Sequence, residues 1–248
     1  MKPLSQDVIA ALARFDSPTI CNTIELFDCR PRSVGALSPR IRAIYPELPP
    51  MVGYAVTLTA RSAHPPGPGE RSLGLLEQVA VFEDTPAPRV VVIQDLDDPP
   101  LGAAYGEVMA STYQAFGCVG LVTNGFARDF LQVRDLRFRC FATGTSVSHA
   151  YCRILSAGQP VHVGGVTIRP GDLLHGDANG VTTIPLEIAE PVAHAAAEFV
   201  AAENELIAAA KARPFRSEGY RQALSAFVAR REEMARRYGG GVSREAGL

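Results

Sequence analysis

Three residues combine chemistry with suggestive spacing: Glu107, then, after twenty intervening positions, the pair Arg128-Asp129. Two carboxylates together with water suit a hard, oxygen-loving cation such as Mg²⁺ or Mn²⁺. A guanidinium beside them matches a carboxylate or an enolate oxygen. Amide groups at a helix N-terminus add donors for an anion. Assembled, these parts would bind a 2-oxo acid and stabilise an enolate. Spacing alone also admits a plainer reading, because a carboxylate at a helix start commonly serves as a cap or as a partner of the helix dipole.

The elements around these residues decide whether they can meet. Arg89–Gln94 (RVVVIQ) reads as a buried strand, 106–116 as a helix and Cys118–Thr123 as a second buried strand, closed by Asn124-Gly125. That run is a βαβ crossover, and such units gather functional residues beyond the carboxyl ends of their strands. Asp95, Asp97 and Asp98 follow the first strand, and Arg128 and Asp129 follow the second. Glu107 falls in the first turn of one predicted helix and Asp129 in the first turn of the next, at about 129–135. Upstream, 6–14 has apolar residues at helical spacing, and a helix over 17–27 opens on a Ser17 cap with Pro18 behind it. Val52–Ala60 is a strand, 62–70 a surface loop, 73–82 a helix and 137–142 a strand. VHV-GG-VTI, residues 161–168, predicts a hairpin turning at Gly164-Gly165. Helix follows over 186–212, then an Arg- and Glu-rich helical extension over 213–248 with a frayed, Gly-rich end.

Composition removes several function classes. The chain has 248 residues, a formal net charge of −2 and no basic stretch with interleaved aromatics, which argues against direct nucleic-acid contact. Its five cysteines lack CxxC or zinc-type spacing and fit a reducing compartment. The N-terminus does not read as a signal peptide and no segment has transmembrane length, so a cytoplasmic protein is expected. Lys2 and Lys211 are the only lysines, and neither is placed in a pocket as a Schiff base requires. Carbanion chemistry here would rest on a metal or on arginine.

Glu107-x20-Arg128-Asp129 resembles the D-x20-R-D pattern of the 4-hydroxy-4-methyl-2-oxoglutarate aldolases, relatives of regulator of ribonuclease E activity A. The surrounding GEVMASTYQAFGCVGLVTNGFARD is similar to that family's helix–strand–turn segment. FDSPTICNTIE, VGYAVTLTA and VGGVTIRPGDLLHGDANGVTTIP match in the family's order, so the resemblance covers most of residues 15–210. It implies an α/β fold, a three-layer β/β/α swivelling-type domain over 1–212, and assembly as a homotrimer or hexamer. By the same resemblance Asp129 would ligate Mg²⁺ or Mn²⁺, Glu107 would hold metal-bound water, and Arg128 would contact the substrate's oxygen. The amides of Val108 and Met109, entered through Gly106, would bind the substrate carboxylate. A glutamate from a neighbouring subunit, Glu203 or Glu205, would complete the set; their other reading is solvated helix surface. Departures are Glu107 in place of Asp, Gln132 in place of an acid, and Asn124 where Asp is frequent.

Two functions follow. One is a metal-dependent lyase acting on a 2-oxo acid through a pyruvate enolate, by retro-aldol cleavage of a 4-hydroxy-2-oxo acid or by oxaloacetate decarboxylation. The alternative is a non-catalytic protein-binding regulator of the ribonuclease E inhibitor type. A methyltransferase is rejected, since no glycine-rich nucleotide loop precedes a ribose-binding acid. His149, His162, His175 and His194 show no metal-type spacing, although His175, before the Gly176-Asp177 turn, could line a pocket. Ser146 and Ser148 lack a nucleophile elbow. Ala193, Ala196, Ala197 and Ala201 offer a face for close helix packing across a subunit interface.

Overall fold

The computed structural model describes residues 3–239. In chain order it contains α1 (Gln6–Leu12), α2 (Ser17–Ile24), β1 (Arg42–Ala43), β2 (Met51–Arg61), α3 (Leu75–Ala80) and β3 (Arg89–Asp95). Next come β4 (Ala103–Tyr105), α4 (Glu107–Ala115), β5 (Cys118–Thr123), β6 (Phe126–Ala127), α5 (Phe130–Asp135), β7 (Arg139–Ala142) and β8 (Arg153–Ala157). The hairpin β9 (Val161–Val163) and β10 (Val166–Ile168) precedes β11 (Leu173–Asp177), β12 (Gly180–Ile184), α6 (Ala189–Lys211) and α7 (Ser217–Gly239). Lys2 and the predicted frayed end at 240–248 lie outside the described residues.

A mixed sheet in the order β1-β7-β5-β3-β2-β11-β12 forms the middle layer. β2, β3, β5 and β7 run parallel, as the crossover pattern requires, and β11 joins antiparallel. β2 is long enough to give its outer edge to two partners, β11 along Met51–Tyr54 and β8 along Leu58–Arg61. Both faces of β3 are covered, which is why RVVVIQ is apolar throughout rather than alternating. Val91 and Ile93 face α3–α5, packing with Val79, Phe82, Tyr113 and Val133. Val90 and Val92 face the β9–β10 hairpin, packing with Val161, Val163 and Ile168. The result is three layers, hairpin on sheet on helices. The hairpin turns at Gly164 and Gly165, whose φ values of 60° and 82° are those a two-residue turn matching strand twist demands.

A third apolar cluster joins α1, α2, α6 and α7 to Val52, Tyr54 and Leu173. Here the expected alanine face divides. Ala193 and Ala196 are buried within the chain's own core, and Ala197 and Ala201 are exposed. α7 folds back on its own chain: Phe227 meets Phe199 at 6.0 Å between ring centroids, and Tyr238 meets Phe27 at 5.1 Å. One cap also differs from expectation. Asp16, not Ser17, caps α2, accepting from the Thr19 amide at 2.7 Å. Ser17 sits inside the helix because the Asp177 carboxylate takes its amide and the His175 ring takes its hydroxyl. Among the described residues, no helix is long and apolar enough to cross a membrane.

Candidate active site

Beyond the carboxyl ends of β3 and β5, two short strands leave the main sheet and pair with each other. β4 and β6 run parallel, Ala103 opposite Phe126 and Tyr105 opposite Ala127. Each leads into a helix, Gly106 into α4 and Asp129 into α5. Two helix N-termini are thereby set side by side, and the Glu107 amide donates to Asp129 Oδ2 at 2.8 Å. This bond joins the two ends of the motif across the crossover. It also lends the carboxylate a backbone donor at the positive end of α4.

Asp129 stands just before the first turn of α5 rather than in it, with φ 56° and ψ 47°. Left-handed backbone is costly for a side-chain-bearing residue, least so for Asp and Asn, and such strain gathers at functional sites. Arg128 Nε lies 3.8 Å from Asp129 Oδ2, with both side chains about one-third exposed. Gly106 closes the arrangement: a Cβ there would collide with Asp129 Oδ2 and Arg128 Nε. Only glycine lets the backbone pass this close to the pair.

These groups border a cleft of about 250 Å³ lined by Ala103, Ala104, Tyr105, Gly106, Val108, Met109, Arg128, Asp129, His149 and Cys152. Val108 and Met109 occupy the first turn of α4, where amides have no carbonyl partner within the helix. Burial pushes the Cys152 thiol up to about 11, reinforced by Asp95 and opposed by Arg153 and Arg128. The Glu107 side chain is exposed at the rim and is not among the groups lining the cleft.

The donor set fits a hard divalent ion. Among the described residues, Asp129 Oδ1 and the Glu107 carboxylate have no protein partner, so both remain available as oxygen ligands. No cluster of three His, Cys, Asp or Glu side chains able to hold a metal is present among those residues. A site of at most two carboxylates suits Mg²⁺ or Mn²⁺, which keep several waters, better than zinc.

The other candidates lie elsewhere. Glu205 pairs with Arg230 at 2.6 Å, and Glu203 borders a separate cavity with Asn22, Glu25 and Arg231. Within one chain neither lines the Arg128–Asp129 cleft. Asn124 is spent on structure: its side chain accepts from the Asp95 amide at 2.7 Å and donates to the Asp95 carbonyl at 2.8 Å. His175 does not line a pocket. It is fully buried, held by Ser17 Oγ at 2.9 Å and the Leu12 carbonyl at 3.3 Å. His149 and Cys152, which no motif singles out, do line the cleft. Their place depends on long-range packing: the His149 carbonyl lies where a Cβ on Gly102 would stand.

Comparison with known proteins gives a consistent picture. A family model described as RraA-like, Aldolase/RraA, matches residues 17–183. A Halalkalibacterium halodurans protein named "Putative 4-hydroxy-4-methyl-2-oxoglutarate aldolase" is 35% identical over 107 residues, 43% of this chain and 50% of that protein. The chain spans half or less of the length of the curated relatives it matches. An uncharacterised Pseudomonas syringae pv. tomato protein shares the fold, with a TM-score of 0.69 at 22% identity over 90% of this chain and 95% of that one. So does Streptomyces coelicolor RraAS2, described as an unusual member of the RNase ES inhibitor RraA family, with a TM-score of 0.64 at 22% identity over 82% and 97% of the two chains.

Proposed function

The chain belongs to the RraA-like family, and from that premise we propose that the Arg128–Asp129 cleft is the active site of a divalent-metal-dependent lyase. Its substrate is a small 2-oxo acid cleaved through a pyruvate enolate, by retro-aldol cleavage of a 4-hydroxy-2-oxo acid, by oxaloacetate decarboxylation, or by both. The observation that carries this reading is the bond from the Glu107 amide to Asp129 Oδ2, with Arg128 against the same carboxylate. It sets Asp129, Arg128 and the N-terminus of α4 against one cleft, with the Glu107 side chain at its rim.

Asp129, with Glu107 reaching through water, would hold Mg²⁺ or Mn²⁺, which when bound supplies Lewis-acid polarisation of the substrate's 2-oxo group. The chain's own groups do the rest. The free amides of Val108 and Met109 receive the substrate carboxylate at the positive end of α4. The Arg128 guanidinium sits where negative charge grows on the oxo oxygen as the carbon–carbon bond breaks. The α4 amides are donors fixed in advance by the helix, which pay no reorganisation at the moment of reaction. Val108, Met109 and Ala104 wall the cleft and displace water. Assembly as a trimer or hexamer, with Glu203 or Glu205 reaching a neighbour's cleft, belongs to the same proposal and is checked by solution mass.

A second reading, a protein-binding regulator, draws on one observation. Val108 is 73% exposed and Val147 99% exposed, and with Leu131 they leave apolar surface on the elements around the cleft. The deciding experiment is pyruvate release from oxaloacetate and from 4-hydroxy-4-methyl-2-oxoglutarate, with Mg²⁺ or with EDTA, for wild type and Asp129→Ala. Metal-dependent turnover that vanishes in the variant supports the lyase. No turnover and no metal binding favours the regulator.

A further inference from the structure

Breaking a bond between C3 and C4 of a 4-hydroxy-2-oxo acid moves one proton from the 4-hydroxyl to C3, so the site needs a group that can both accept and return it. The groups lining the cleft narrow the choice. A guanidinium such as Arg128 keeps its protons at any pH at which proteins work. Asp129 already accepts the Glu107 amide and faces Arg128. Burial holds the Cys152 thiol up at about 11, and raises the Tyr105 hydroxyl well above its ordinary value. Glu107 is absent from the lining. His149 remains, and an imidazole ring has one nitrogen that accepts a proton and can return it.

The fold fixes His149 there on purpose-built backbone. The Ser148 carbonyl accepts from the Ala103 amide at 2.9 Å, clipping the 148–152 turn to β4, the strand that leads into Gly106. The His149 carbonyl accepts from the Cys152 amide at 2.8 Å, and Ala150 takes a left-handed φ of 48° with its amide held by Ser148 Oγ at 2.9 Å. Gly102 is required against the His149 carbonyl, since a Cβ there has no room. Among the described residues neither ring nitrogen of His149 has a hydrogen-bond partner, unlike those of His175, both of which are engaged.

We propose that His149 is the proton carrier of this site, a role that rests on the lyase reading above. Its neutral imidazole takes the 4-hydroxyl proton, whose bonding pair becomes the new C4=O bond. The C3–C4 pair passes into the C2–C3 enolate, beside Arg128. The imidazolium then returns the same proton to C3, giving pyruvate and a carbonyl product with no other reactant. In oxaloacetate decarboxylation only the second transfer is used, and solvent restores the proton.

Pyruvate alone tests this, because exchange of its methyl protons in D2O needs proton transfer at C3 but no carbon–carbon bond cleavage. With Mg²⁺ and full-length protein, methyl exchange followed by ¹H NMR should fall about 100-fold or more in His149→Gln. Binding of oxalate, an enolate analogue, should be unchanged in that variant. His149→Ala should regain exchange when imidazole is added. Arg128, Asp129, the Cys152 thiol and the Tyr105 hydroxyl are the charged and titratable groups of the residues that line the cleft with His149. Exchange in His149→Gln within about threefold of wild type overturns the proposal and leaves the lyase standing. Loss of oxalate binding equal to the loss of exchange, without imidazole rescue, overturns it in favour of a purely binding role. Wild type that neither exchanges nor cleaves overturns the lyase reading and this proposal with it.

Discussion

Two regions place a histidine among serine and aspartate neighbours, and they differ in what their polar groups still have to give. At the junction of α2 and β11, His175 is fully buried. Its ring accepts from Ser17 on one side and, in the tautomer that satisfies both bonds, donates to the Leu12 carbonyl on the other. Asp177 is spent as well, on the amides of Ser17 and Asn179. In the cleft, His149 has a free ring, Asp129 a free oxygen, and Arg128 and Asp129 touch solvent. The first set resembles a catalytic triad in composition and is a latch that ties α1 and α2 to the sheet. The second pairs the Arg128-Asp129 motif with a histidine that no motif marks, and it keeps its hydrogen-bonding capacity for something outside the chain. Unspent capacity at an accessible place, rather than residue type, separates a site from a strut.

Substitutions in the two regions should therefore fail in opposite ways. The largest effect is expected from Asp129→Asn, which keeps the left-handed backbone but removes the charge. Turnover should drop about 10³-fold or more, with the urea midpoint close to that of wild type. A comparable loss of stability at this position would erase the contrast. His175→Ala should do the reverse, stranding the Ser17 hydroxyl and the Leu12 carbonyl and opening a cavity. We expect a loss of roughly 3 kcal/mol and a fall in Tm of roughly 10 °C, with turnover per folded molecule preserved.

Gly106→Ala sharpens the comparison from within the cleft. The added Cβ must displace Asp129 and Arg128, and a misplacement of about 1 Å costs on the order of 10- to 100-fold in rate. Stability should change little, because the collision is with exposed, movable side chains. Steady-state kinetics and a thermal melt on the same sample check both halves.

The smallest effect concerns pH. Burial holds the His175 pKa below its ordinary value of 6.5. The unfolded chain therefore binds a proton before the folded one does. The stabilisation is complete above pH 6.5 and is lost as pH falls through that value towards the folded pKa. By urea unfolding, wild type should lose more stability than His175→Gln between pH 7.5 and pH 5.5. Equal slopes would remove the latch's titration from the account.

The sequence disclosed the parts whose physics is local or strongly periodic. The apolar run at β3, the Gly164-Gly165 turn and the crossover geometry each follow from their own residues. The three-layer arrangement came with the family resemblance and stands in the structure. The crossover suggested that Glu107 and Asp129 share one sheet edge, and they meet there through the Glu107 amide rather than through both carboxylates. β4 and β6 were missed because three and two residues carry no period. Their pairing depends on strands brought together by the crossover. Asp16 and Ser17 are both good caps, and only the distant Asp177 and His175 decide which one serves. The same contacts take His175, which the sequence offered as a pocket residue, into the core, and a separate one, Ala103 to Ser148, clips His149 onto β4 beside the cleft.

The most direct test of the central claim is a Mn²⁺ titration, with and without oxalate, on wild type, Asp129→Asn and His175→Ala. The account predicts one ion per chain in wild type, held more tightly with oxalate, lost in Asp129→Asn and retained in folded His175→Ala. Mn²⁺ binding to Asp129→Asn with wild-type affinity would contradict it.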